Sequence, residues 1–245
     1  MVSRLILPLA LLASFSTACA SAPKYSADPL KIPVEEFRAK VKTIAVASVV
    51  DASGVSDTDH ASAAFCSLIE KGLRDSGIAP VPNADVSPVQ KRALEAAGGL
   101  FDPNTGKLDD AKADTVLAAI RHEVHDRFQA DAIVLPRLVV RKANFNGEYA
   151  AWDNVRQSIL PPDAGILQKM SVGQLYGTVA TMSLILRIED PEGRLLFENG
   201  AGVQVLARYV SGSFQSIQKS DAFANPQDNA AAVELALEPL RPAKK

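Results

Sequence analysis

An α/β (α+β) domain built on a mixed sheet of about five strands packed by three to four helices is what this sequence predicts. Three stretches carry the prediction. Residues 43–50, Thr-Ile-Ala-Val-Ala-Ser-Val-Val, form an unbroken apolar and β-branched run, the composition of a strand buried on both faces. Ala61, Ala64, Phe65, Leu68, Ile69 and Leu73 recur at three- and four-residue spacing and describe an amphipathic helix closed by Gly77. Residues 178–188 and 194–207 are β-rich arms on either side of Asp190-Pro191-Glu192-Gly193, the pattern of a hairpin with a tight turn.

Taken in order, the chain opens with Arg4, the only charge before Lys24, and an apolar run over 5–13 followed by small residues. That is the layout of a secretory signal peptide, and the apolar run is far shorter than the roughly 20 residues of a membrane-spanning helix. Ser16-Thr17-Ala18-Cys19 resembles a bacterial lipobox, departing from it at Ser16, where an aliphatic residue is usual. The resemblance implies that residues 1–18 are removed and that Cys19 is lipidated, through a thioether to diacylglycerol and an acyl group on its new amino terminus. Two or three chains make such an anchor effectively permanent, which one chain does not. Ala20, where inner-membrane lipoproteins tend to carry Asp, implies an outer-membrane lipoprotein facing the periplasm. The other reading is a plain signal peptide cut near Ala18 or Ala20, with Cys19 incidental.

Pro23, Pro29 and Pro33 make 19–41 a flexible tether with one helical turn around 34–39. After the strand and the helix to Gly77, a short strand over 78–81 completes a β-α-β unit. Residues 86–97 form a helix with Pro88 in its first turn, ended by Gly98-Gly99. Val116, Leu117, Ile120, Val124 and Phe128 are the apolar stripe of a helix over 109–128, with Asp109 or Asp110 at its positive end. Residues 132–141 form the central strand, and Pro136 predicts a bulge or an irregular edge in it. Residues 144–174, rich in glycine, proline and polar side chains, read as a long functional loop. After the hairpin, a last helix covers 227–240. The order is β-α-β-(α)-α-β, loop, β-β-α.

Lys42-Thr-Ile-Ala-Val, the helix to Gly77, Ala130-Asp-Ala-Ile-Val and the hairpin Leu-Arg-Ile-Glu-Asp-Pro-Glu-Gly-Arg-Leu-Leu-Phe-Glu together resemble the periplasmic α/β domain of CsgG-type, LpoB-type and TolB N-terminal proteins. The resemblance spans roughly 42 to 240. It implies one periplasmic domain over 42–245 and a role in envelope assembly. The long membrane-crossing hairpins of a CsgG-type channel are not evident in the sequence.

Composition narrows the partners. The chain has 26 Lys+Arg, of which Arg4 lies in the removed segment, against 28 Asp+Glu, and no polybasic block, so nucleic acid and anionic membrane surfaces are poor electrostatic partners. Cys66, between Phe65 and Leu68 on a predicted helix, reads as a small core residue, and with Cys19 lipidated no internal disulfide forms. His122 and His125 stand three apart, not four as in the zincin motif, and with no third ligand identifiable they read as part of a solvated helix face, the alternative being a weak metal pair. Residues 102–109 carry alternating oxygen side chains faintly like a calcium loop, but Ala113 stands where the bidentate Glu belongs. Val210-Ser-Gly-Ser-Phe does not fit a nucleophile elbow. Phe145, Tyr149 and Trp152, the sole tryptophan, are either core residues or aromatic anchors of a partner-binding loop.

No cofactor and no catalytic residue is expected. The expected function is that of a lipid-anchored, non-enzymatic binding or assembly component with an envelope protein as partner. The alternatives are a lipid-anchored hydrolase or metal-dependent enzyme using His122 and His125, and a subunit of a secretion or export assembly.

Overall fold

The computed structural model describes residues 22–51, 58–100, 105, 107 and 109–242. In chain order its elements are α1 (Val34–Lys40), β1 (Thr43–Val46), β2 (Val50–Asp51), α2 (Thr58–Asp75), β3 (Ala79–Val81), α3 (Asn83–Ala96) and α4 (Asp110–Phe128). There follow β4 (Ala132–Asn146), β5 (Tyr149–Trp152), β6 (Val155–Ser158), α5 (Ile166–Ser171), β7 (Tyr176–Glu189), β8 (Leu195–Val205), β9 (Ala207–Val210), β10 (Ser213–Ser216) and α6 (Pro226–Leu237). The first eight strands form one mixed sheet, and β9 and β10 a separate two-stranded one. The fold is the mixed α/β class that the sequence predicts, with more and longer strands.

β1 lies between β3 and β4, parallel to both, which is why Ile44, Ala45 and Val46 are fully buried. β4, 15 residues long, is the axis of the sheet. Along one edge it meets β1, then β2, then β5; along the other it pairs antiparallel with β7 from Ile133 to Asn146 without interruption. Pro136 leaves the β7 ladder regular, and the irregular edge that it predicts lies on its other side, where residues 47–49 face only 135 and 136. It falls between the residues paired with β1, ending at Val134, and those paired with β2, starting at Arg137, so its missing N–H faces a gap in the ladder. Register shifts also occur between β7 and β8, at Met182/Ser183 and Ile188/Glu189.

Strand alternation sorts the core onto two faces. Val134, Leu138, Met182, Leu184, Leu186 and Ile188 point to the side covered by α1, α2 and α6, where Phe37, Phe65, Ile69, Leu73, Val233 and Leu237 close the main core. Ala45, Ala47, Ile133 and Leu135 point the other way, under Val86 and Val89 of α3 and Val116, Ile120 and Val124 of α4. Asp109 caps α4 by accepting from Lys112 N at 3.0 Å, and Asn225 caps α6 by accepting from Gln227 N at 3.0 Å.

Three expectations are corrected. Residues 144–174 are not an open loop: β4 runs on to Asn146, β5 and β6 form a hairpin, and α5 follows. Asp153 and Asn154, at φ 34° and 67°, supply the two positive-φ positions of a type I′ turn. Helix α3 starts three residues early, leaving Pro88 inside it, because Asn83 is pinned by tertiary contacts: its N–H donates to Glu70 Oε1 and its Nδ2 to Val46 O. The described part of the expected tether is docked. Pro29 O accepts from Glu198 N, Lys31 N donates to Leu196 O, Leu30 bridges Phe197 and Phe37 is buried. Prolines cannot donate to a ladder but their carbonyls accept, so this segment lies along β8 and shields that edge. Residues 1–21, with the signal peptide and Cys19, lie outside the described residues.

Candidate functional site: a charged cleft over the sheet

Helices α3 and α4 cover only the half of their face nearest β1. β4 is apolar on both sides from Ala132 to Pro136, and then the outward positions change character at Arg137. On β7 the same side carries Ile185, Arg187 and Glu189, and Arg187 stands opposite Glu198 of β8. The uncovered floor and the flank of α4 enclose a cleft of about 510 Å³, whose lining includes Leu94, Leu117, Leu135, Ile185, Arg137 and Arg187.

Its charges are unequally satisfied. Glu189 is buried, with one carboxylate oxygen accepting from Arg121 Nη1 at 2.7 Å and the other from Arg187 Nε. Arg121 lies against Gly193, and its Nε is buried without a partner. Tyr25, from the N-terminal segment, closes one end: its hydroxyl donates to Glu198 Oε1 at 3.2 Å and the Arg141 guanidinium sits 5.2 Å from its ring. Burial, with Glu198 beside it, pushes the Tyr25 phenol up. Gly200 makes this closure possible, since a Cβ there would fall 2.6 Å from Ile185 Cδ1 and 2.9 Å from the Tyr25 ring. Arg137 is exposed and, in the described structure, its side chain makes no hydrogen bond or ion pair. A guanidinium keeps its charge and presents a fork of donors, so it holds an anion and does not shuttle protons. The arrangement suits a carboxylate or phosphate carried on an apolar body.

The residues expected to form a site lie elsewhere. Phe145 and Trp152 are buried with Ala143, Ala150, Ile159, Val179 and Val205 in a third cluster beneath the β5–β6 hairpin. Of the three aromatics, Tyr149 alone is exposed, with the Arg156 guanidinium 4.2 Å from its ring centre. They form no shared anchor surface, because alternation along β4 and β5 turns Phe145 and Trp152 inward. His122 is exposed, while His125 turns back so that its Nδ1 lies 2.9 Å from Ala130 O past the end of α4. Among the described residues, no group of three or more His, Cys, Asp or Glu is placed to hold a metal. The calcium-like run falls largely on residues outside the described ones, and Asp109 is a helix cap. Ser211 and Gly212 are the turn of the β9–β10 hairpin, at φ 49° and 92°.

Cys66 is buried, its Sγ 3.6 Å from Ala47 O, and burial pushes the thiol up. With little thiolate and little access, iodoacetamide at about pH 8 is expected to leave Cys66 unmodified in the folded chain and to alkylate it in urea. Rapid native-state alkylation would contradict this placement.

The cleft was missed because its residues converge from β4, α4, β7, β8 and the N-terminal segment. The available signal was parity: Arg137, Arg187 and Glu189 interrupt otherwise apolar strands on one face.

No helix among the described residues is long and apolar enough to cross a membrane. No family model matches the sequence, and comparison with curated proteins gives no match. Among solved structures, a variant PelC dodecamer from Paraburkholderia phytofirmans is similar at 11% identity over 90% of this chain and 94% of that chain, with a TM-score of 0.35. A second PelC dodecamer from the same organism is similar at 10% identity over 84% and 91%, also with a TM-score of 0.35. Likeness of this degree is too slight to carry an argument.

Proposed function

We propose that this chain is a lipoprotein of the bacterial outer membrane, attached through Cys19 and facing the periplasm, and that it works non-enzymatically as a binding or assembly component. The cleft is where it holds an envelope protein partner. The single observation that supports binding is Arg137, a permanently charged group left unpaired between Leu135 and Ile185 at the mouth of the cleft. The partner presents an anionic group to Arg137 and apolar groups to Leu94 and Leu117. Attachment to the membrane raises the effective concentration of a partner on the same surface. The sequence resemblance to periplasmic assembly domains belongs to the same reading.

A photo-crosslinking residue placed at Leu94 in cells tests it. The expected result is one envelope protein captured by the otherwise unaltered chain and lost with Arg137→Gln. Capture unaffected by Arg137→Gln contradicts the assignment. The rival reading, a metal-dependent enzyme, predicts stoichiometric metal in the purified protein that His125→Ala removes.

A further inference from the structure

The largest exposed apolar side chains of the described structure gather at one end. Ile166, Leu167 and Met170 of α5 are 77%, 85% and 73% exposed, and Tyr176, the first residue of β7, is 85% exposed. Isolated surface leucines need no explanation, whereas four such residues within eleven positions form a patch that signals contact with something apolar. The exposure is imposed by the fold. Gln168 Nε2 donates to Tyr209 O at 3.0 Å and Val172 is fully buried, so the inner face of α5 is tied down. Gly147 N donates to Leu175 O at 2.7 Å, fixing the segment beside the end of β4. Ile166, Leu167 and Met170 thereby share the outward face.

The chain outside the described residues says what covers it. Asn154 N donates to Pro23 O at 2.8 Å, so the N-terminal segment enters the fold at the turn of the β5–β6 hairpin, whose opposite end carries α5. Cys19 precedes Ala22 by three positions, a span of at most about 10 Å. The hairpin arms are four residues each, about 13 Å from turn to far end. A headgroup layer of about 6 Å makes up the difference, so one bilayer surface can receive both the Cys19 lipid and the α5 tip.

We infer that the α5 tip, with Tyr176, is a membrane contact that inserts into the same leaflet as the Cys19 lipid and fixes the domain's orientation on the bilayer. Aliphatic residues and Met enter the acyl boundary while Tyr176 lies at headgroup level, the arrangement of an interfacial helix. The inference rests on lipidation at Cys19, which brings the tip to the surface.

The test uses the full lipidated chain in phosphatidylethanolamine and phosphatidylglycerol vesicles containing nitroxide-labelled acyl chains. An environment-sensitive fluorophore is attached through Leu167→Cys, or through Lys71→Cys, an exposed α2 position near the opposite end of the sheet. Co-flotation with the vesicles reads attachment separately. The expected result is a blue shift and loss of most fluorescence at position 167, with neither at position 71. Ile166→Ser with Met170→Ser should abolish that quenching without reducing flotation. An attached chain whose position 167 stays unquenched overturns the membrane contact alone, and so does intermolecular crosslinking through Leu167→Cys in its place, which would mean that a second copy covers the tip. A chain that does not float overturns the lipid anchor and the contact together.

Discussion

Replacing Glu189 by alanine is expected to destabilise the folded chain by about 3–5 kcal/mol, read as a lower midpoint in urea unfolding. Glu189 has a side chain only 5% exposed and serves Arg121, itself 14% exposed. Removing the carboxylate strands a buried guanidinium whose Nε already lacks a partner. The cost comes from the stranded charge and not from a large intrinsic worth of the pair, since desolvation offsets most of the attraction between buried ions. Replacing Glu189 and Arg121 together by apolar residues of similar size should therefore recover most of the loss. Arg187, 48% exposed, should reorient into solvent at small cost. If Glu189→Ala has no effect on stability, the buried pair is not as described.

Trp152→Ala is expected to cost a similar amount, about 3–5 kcal/mol, by emptying the cluster under the β5–β6 hairpin. That packing depends on Gly202, where a Cβ would fall 2.6 Å from Trp152 Cε2 and 2.1 Å from Val155 Cγ2, so the indole lies directly on the β8 backbone. Because Trp152 Nε1 has no hydrogen-bond partner, Trp152→Phe removes an unsatisfied donor and should be far milder than the alanine. Tyr149→Ala, on the exposed face, should stay within about 0.5 kcal/mol. A Trp152→Ala chain of unchanged stability would return Trp152 to the role of an exposed anchor.

What the sequence made legible was what local rules decide. The helix to Gly77 and the turn at Asp190 carry strong local signals and form where expected, whereas the buried run from Thr43 to Val50, read as one strand, is divided into β1 and β2. The turn is reinforced by Asp190 itself, whose Oδ1 accepts from Arg194 N at 2.7 Å. The β5–β6 hairpin escaped because its arms are short and Arg156 and Gln157 blur the alternation, although Asn146-Gly147 and Asp153-Asn154 are turn-forming pairs. The three early prolines suggested a free tether, because a proline's lost donor can be read from sequence and its carbonyl's distant partner cannot. Arg137 and Arg187 were visible as charges, but only strand pairing places them over one floor with Glu198. The α5 tip hid within a region read as polar loop. Ile166, Leu167 and Met170 have helical spacing, and no periodicity indicates whether that face turns inward or out.

The placement of residues 22–33 also alters the part proposed for Cys19. A long tether would let the domain search for a partner far from the bilayer. In the proposed lipoprotein, a segment docked on β8 would leave a short leash, and the anchor would set orientation as well as location.

Mass spectrometry of the intact mature chain extracted from bacterial membranes tests the proposed lipid attachment at Cys19. The expected product is a chain beginning at Cys19 and heavier than its sequence by a diacylglyceryl group and an amide-linked acyl chain. A mature chain that begins at Ala20 or later, or at an unmodified Cys19, would contradict it.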